Sequence, residues 1–147
     1  MKIYMDVCCL NRPFDDQSQD KVRLETEAIV SILKRCIFDR KWKLIGSEII
    51  SIEISKCRDT LKKHKVSFIH DSADVKVKYN AEIKSRAAEF RNYNIKLFDS
   101  LHLAAAEYAN VDIFLTTDAQ LIKAAARAAV KIRAENPLVY YMEALNN

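Results

Sequence analysis

Two short apolar runs in this chain each end at an acid, and that pattern limits the possible folds more than any other feature. Lys2-Ile3-Tyr4-Met5 runs into Asp6, and Ile113-Phe114-Leu115 runs through Thr116 and Thr117 into Asp118. Both have the length and residues of a short buried strand. Each acid then sits where a strand leaves a sheet. In open α/β sheets, ligands bind outside the carboxyl ends of the strands. An acid at such a place is either a metal ligand or the cap of the next helix.

The rest of the chain alternates in the same way. Asp15-Asp16-Gln17-Ser18 starts a long helical pattern that reaches about Arg40, with Val22, Ala28, Ile29, Ile32, Leu33, Cys36 and Ile37 on one face. Trp42 to Ile45 reads as a second strand, ended by Gly46-Ser47. Ser47 and Glu48 then open a helix carrying Ile49, Ile50, Ile52, Glu53 and Ile54. Val66 to His70 is a short β-like run. Ser72 is expected to cap a helix with Asp74 in its first turn, running to about Tyr93. Asp99 opens an Ala-rich helix in which Phe98, Leu101, Ala105 and Tyr108 share a face. Ala119 to Ala129 is built of good helix formers. Val130 to Arg133 forms a last strand, Asn136-Pro137 breaks it, and Leu138 to Leu145 closes the chain as a helix. Alternating strands and helices with short connections predict an α/β/α three-layer sandwich with a mainly parallel sheet. Without repeats, low-complexity tracts or linkers, residues 1–147 are read as a single domain.

Composition excludes several functions. One Gly (Gly46) and two Pro in 147 residues leave no Gly-rich phosphate loop of the dinucleotide or P-loop type. No apolar run approaches the ~20 residues of a membrane span. The first residues lack an apolar secretory leader, so the expectation is a cytoplasmic protein with no membrane partner. The four Cys, at 8, 9, 36 and 57, lack the C-x₂-C spacing of a zinc site and are expected to be reduced. Net charge is +4, and the decapeptide Lys56 to Lys65 alone carries as much. That stretch is a solvated helix end or a phosphate-contact patch, with Lys56 and Arg58 as candidates.

Glu53 is the acid that capping does not explain, because it lies on an apolar helix face and an unpaired charge is costly to bury. With Asp6, Asp99 and Asp118 it makes four carboxylates expected at one sheet edge. They would repel unless a cation joined them, and hard oxygens suit Mg²⁺ or Mn²⁺. A phosphatase-like hydrolase would want a second Asp two residues after the first, where Cys8 stands.

At these residues the chain resembles the PIN domain, the ribonuclease module of VapC-type toxins. Asp6 matches the first acid of that family. Ser47 followed six residues later by Glu53 resembles the second motif. Asp99-Ser-Leu-His-Leu-Ala-Ala-Ala looks like the third, and Leu115-Thr116-Thr117-Asp118 the fourth. The family's Ser or Thr, then Asn, after the first acid is replaced here by Val7 and Cys8, so the stretch Cys8 to Asp16 looks like a variant branch. The resemblance implies a metal-dependent endoribonuclease acting on RNA. Asp6, Asp99 and Asp118 would hold one or two Mg²⁺ or Mn²⁺ ions, and Glu53 would bind a second ion or orient the attacking water. Thr116 and Asn11 would supply hydrogen bonds behind the acids, and Arg12 a phosphate contact. It also implies a small antitoxin partner and a homodimer. The altered stretch after Asp6 supports a different class, a PIN fold that binds nucleic acid or protein without catalysis. His102 is read as an ordinary packed or surface helix residue.

Overall fold

The computed structural model describes residues 1–146. Its centre is a five-stranded parallel sheet of β1 (Lys2–Met5), β2 (Lys43–Ser47), β3 (Val75–Val77), β4 (Ile113–Leu115) and β5 (Arg133–Glu135). The helices are α1 (Val7–Asn11), α2 (Asp20–Ile37), α3 (Glu48–Ser55), α4 (Thr60–Asp71), α5 (Ala81–Arg91), α6 (Leu97–Tyr108), α7 (Ala119–Arg127) and α8 (Pro137–Leu145), with a 3-10 turn at Arg12–Phe14. Every residue from Ile3 to Met5 and from Ile113 to Leu115 is buried, on both sides of the pleat. Strands covered on both faces are the signature of a parallel sheet with helices above and below.

Strand order is β3-β2-β1-β4-β5. The chain winds outward from β1 through β2 to β3, then returns to the other side of β1 for β4 and β5. The order therefore reverses between β1 and β4, and a crevice opens at their carboxyl ends. Tyr4 pairs with Phe114 and Met5 with Leu115. The ladder closes when Asp6 N donates to Leu115 O at 3.1 Å. Asp6 and the Thr116-Thr117-Asp118 turn thus leave the sheet side by side.

The amphipathic face of α2 buries Ala28, Ile29, Ile32, Leu33 and Cys36, and packs on α8 and β2. Glu25 lies in the same buried stripe at 1% exposure. Arg12 Nη2 reaches its Oε1 at 3.0 Å and Asn136 Nδ2 donates to Oε2 at 2.7 Å, which satisfies both carboxylate oxygens. That buried network ties α2 to the turn after α1 and to Asn136, the N-cap of α8.

Four sequence expectations need correction here. Val66 to His70 is not a strand but the second half of α4, capped by Asp59. Val66 and His70 are one helical turn apart on the buried face, while Phe68 between them is 76% exposed. Ser72 ends α4 rather than starting a helix. Asp74 bonds to the edge of the sheet instead, taking Leu44 N on Oδ2 at 2.9 Å, and this delivers Val75–Val77 to β2 as strand β3. The last strand lies at Arg133–Glu135 rather than at 130–133, and Asn136-Pro137 opens α8 with a cap and a first-turn Pro. Gly46 and Ser47 belong to β2 instead of ending it.

Gly46 is extended, and its role is close approach. A Cβ built there would fall 2.7 Å from His70 Cδ2 and closer still to Nε2. His70 needs that space because its Nε2 accepts the Ser47 backbone N–H at 3.2 Å.

Candidate functional site

The four acids reach the crevice from four elements. Asp6 follows β1 and is the N-cap of α1, and Asp118 follows β4 and is the N-cap of α7. Asp99 stands in the first turn of α6, and Glu53 lies in α3, the helix after β2. The cap or ligand alternative dissolves on inspection of individual oxygens. Cys9 N donates to Asp6 Oδ1 at 3.1 Å, and Gln120 N and Leu121 N donate to Asp118 Oδ1 at 3.0 and 3.2 Å. In both residues the cap bonds fall on Oδ1, so Oδ2 is left for a ligand.

The electrostatics are those of a crowded acidic site. None of the ion pairs among the described residues includes Asp6, Asp99 or Asp118. Asp6 is 4% exposed. Burial raises its carboxyl well above the usual range, Cys8 raises it further, and Thr116 and His102 pull it down. Burial also raises Asp99, with His102 opposing and the nearby charges of Asp118 and Glu53 adding to the rise. Uncompensated hard oxygens of this kind fit a hard divalent cation such as Mg²⁺ or Mn²⁺, whose charge reverses the local balance. The acids do not close into a single coordination sphere. Among the described residues, the group of three donor atoms lying within 4.8 Å of one another is Asp6, Cys8 and Cys9.

Cys8 occupies the place next to Asp6 that the sequence reading left open. Its Sγ donates to Asp6 Oδ1 at 2.7 Å and accepts from Thr117 Oγ1 at 3.1 Å and Thr117 N at 3.4 Å. Hydrogen bonding with Cys9, and then with Asp6, Thr116 and Thr117, outweighs burial and brings this thiol down to about 6. Thr116, fully buried, accepts Asp118 N on its hydroxyl at 3.1 Å and so sets the turn that carries the last acid.

Glu53 is anchored by a residue the sequence did not single out. Its Oε1 lies 2.6 Å from His102 Nε2, and His102 Nδ1 lies 2.7 Å from the Tyr4 hydroxyl. Tyr4 in turn is hydrogen-bonded to Ser47 Oγ at 2.7 Å. His102, read from sequence as an ordinary helix residue, is 1% exposed and links the acid to the centre of the sheet. The available signal was a Tyr inside a central strand, since a buried phenol requires a partner.

The remaining candidates divide. Arg12 is held by Glu25 and Asp15 at 3.0 and 3.3 Å, so it is a structural ion pair and not a free phosphate contact. Asn11 makes no bond to Asp6; it lines a hollow of about 190 Å³ with Glu53, Lys56 and Lys63. Lys56 Nζ sits 4.5 Å above the Phe98 ring, and Arg58 is exposed. Asp99 and Asp118 line a second hollow of about 210 Å³ with Lys96 and Arg127. Both hollows therefore combine carboxylates with cations, and Lys63, Lys96 and Arg127 join the candidate phosphate contacts. All four cysteines are free thiols.

No protein-family model and no curated protein matches the sequence. In fold, the chain is similar to one in VapBC2 from Rickettsia felis bound to a DNA fragment from their promoter, with a TM-score of 0.62 and 16% identity over 92% of this chain and 98% of that one. It is also similar to a chain of VapBC-1 from nontypeable Haemophilus influenzae, with a TM-score of 0.59 and 11% identity over 93% of this chain and 98% of that one. Identities this low speak to architecture, and the architecture is the expected PIN-like α/β/α sandwich on a parallel sheet. Among the described residues, no helix is long and apolar enough to cross a membrane.

Proposed function

We propose that this chain is a metal-dependent endoribonuclease of PIN type and the toxin of a toxin–antitoxin pair. One observation carries the reading. Asp6 and Asp118 flank the point where strand order reverses, and among the described residues no cationic side chain forms an ion pair with Asp6, Asp99 or Asp118. Asp6, Asp99 and Asp118 would hold one or two Mg²⁺ or Mn²⁺ ions, and Glu53 would hold a second ion or orient the attacking water. A hard divalent cation, when bound, neutralises this charge and promotes water attack on a phosphodiester. The residues of the chain do the rest. The caps on Asp6 and Asp118 fix the carboxylate planes and present Oδ2. His102 fixes the Glu53 side chain for that role. Lys56 and Lys63 on one side and Lys96 and Arg127 on the other receive the RNA backbone.

The antitoxin and a second copy of this chain are the proposed protein partners. The fold neighbours are VapBC assemblies, which supports the first of these. The Cys8 thiol seated on Asp6 Oδ1 favours a second reading, a PIN fold that binds RNA or protein without cutting. Cleavage of a mixed RNA pool with Mn²⁺, with EDTA and with Asp118→Ala separates them. Metal-dependent cuts lost in the variant are expected. Calorimetry that detects no Mn²⁺ binding would reject the nuclease and leave the binding module.

A further inference from the structure

The contacts behind Glu53 form a continuous chain. Glu53 Oε1 accepts from His102 Nε2–H at 2.6 Å, because a bare Nε2 lone pair cannot face a carboxylate oxygen. His102 Nδ1 is hydrogen-bonded to the Tyr4 hydroxyl at 2.7 Å, and that hydroxyl to Ser47 Oγ at 2.7 Å. Ser47 Oγ in turn accepts Ile50 N–H at 3.1 Å, in the first turn of the helix that carries Glu53. Tyr4, Ser47 and His102 are 0, 0 and 1% exposed, so solvent does not compete for these bonds.

We infer that Tyr4 and His102 are positioning residues: the Ser47–Tyr4–His102 chain holds the ring with its Nε2–H on Glu53 Oε1 and leaves Oε2 for the crevice. What Glu53 is positioned to do rests on the nuclease reading; the hold on its side chain does not. Bonds in such a chain polarise one another, so loss of the middle member loosens the far end. Tyr4→Phe is the informative change, since it keeps the ring stacked 5.4 Å from Phe114 and removes only the hydroxyl.

Ring-nitrogen NMR of the full chain tests the inference directly. With three histidines, His102→Gln assigns the signal. An Nε2-bound proton protected from solvent exchange is expected, losing that protection in Tyr4→Phe and in Ser47→Ala. An Nε2 without a protected proton, or a signal indifferent to both variants, overturns it. In RNA cleavage, Tyr4→Phe is expected to lower kcat about 10- to 100-fold with KM unchanged. In a Glu53→Gln background it should cost nothing more. Equal losses in both backgrounds mean Tyr4 acts through the fold alone, and the positioning role fails. If the wild type cuts no RNA, the nuclease reading fails by itself while the ring spectra still decide whether the chain holds the ring.

Discussion

Gly46→Ala should be among the most damaging single-methyl additions possible in this protein. The added Cβ lands 2.7 Å from His70 Cδ2 and 3.2 Å from Ala73 Cβ, with Nε2 nearer still. His70 cannot retreat cheaply. It is 3% exposed, and its Nε2 is the acceptor for Ser47 N–H, which is buried. Overpacking of a tight interior costs about 1–3 kcal/mol. Leaving the Ser47 amide without its partner costs about 1–3 kcal/mol more. The stiffer unfolded chain returns only about 0.4–1 kcal/mol. The net is a loss of roughly 1–6 kcal/mol, against a whole-domain stability on the order of 5–15 kcal/mol. For a chain of this size that lowers Tm by roughly 2–20 °C. Urea and thermal unfolding of Gly46→Ala, His70→Ala and the double variant measure it. Because the clash needs both partners, the double variant should be no less stable than His70→Ala alone. A Gly46→Ala protein within about 1 kcal/mol of wild type, or two losses that simply add, would refute the packing argument.

Three other outcomes follow from the same contacts. Burial holds His70 neutral and brings it from 6.5 down to about 4. The unfolded chain takes up this proton first, so His70's contribution is complete above pH 6.5 and fades by roughly 3 kcal/mol as pH falls to about 4, which acid-unfolding curves of wild type and His70→Gln will show. Asp6→Asn keeps the cap acceptor and removes a buried charge, so the metal-free protein should melt no lower than wild type. It should lose both cleavage and the stabilisation of about 2.7 kcal/mol that wild type gains at a hundredfold excess of Mn²⁺ over Kd. Glu25→Ala strands Arg12 and Asn136 and should cost about 3–5 kcal/mol in unfolding experiments, while Arg12→Ala should leave RNA affinity unchanged.

What was legible in the sequence follows from the range of the interactions involved. β1 and β4 declared themselves because a parallel strand buried on both faces reads as an unbroken apolar run, and the acids after them mark where burial ends. The stretch 66–77 misled because Val66 and Ile69 look β-like locally. The deciding facts are non-local: Asp74 docks on Leu44, and Val75–Val77 completes the edge of the sheet. Of the site, Asp6, Glu53, Asp99, Asp118 and Thr116 could be singled out by position after a strand or at a helix start. Tyr4, Ser47 and His102 could not be joined, because their contacts span 43 and 98 residues of chain. Arg12 looked like a phosphate ligand because its partner Glu25 lies 13 residues away on another helix.

The open question at Asp6 and Asp118 was whether each is a cap or a ligand, and that choice was false on physical grounds. A carboxylate has two oxygens and about four lone-pair sites. One oxygen given to backbone amides at a helix start costs no binding capacity at the other. It fixes the plane of the group, so the remaining oxygen is held in place before any ligand arrives. Asp99 is built differently. Lys96 is the N-cap of its helix, and Asp99 sits three residues on with no cap bond to hold it. Of the three acids it is therefore the one free to adjust its rotamer, while Asp6 and Asp118 define the rigid walls. Accordingly Asp99→Glu, one methylene longer, should retain measurable Mn²⁺ binding by calorimetry. The same lengthening at Asp6 or Asp118 breaks the cap register and should abolish it. Equal losses at all three positions would show that the caps do not organise the site.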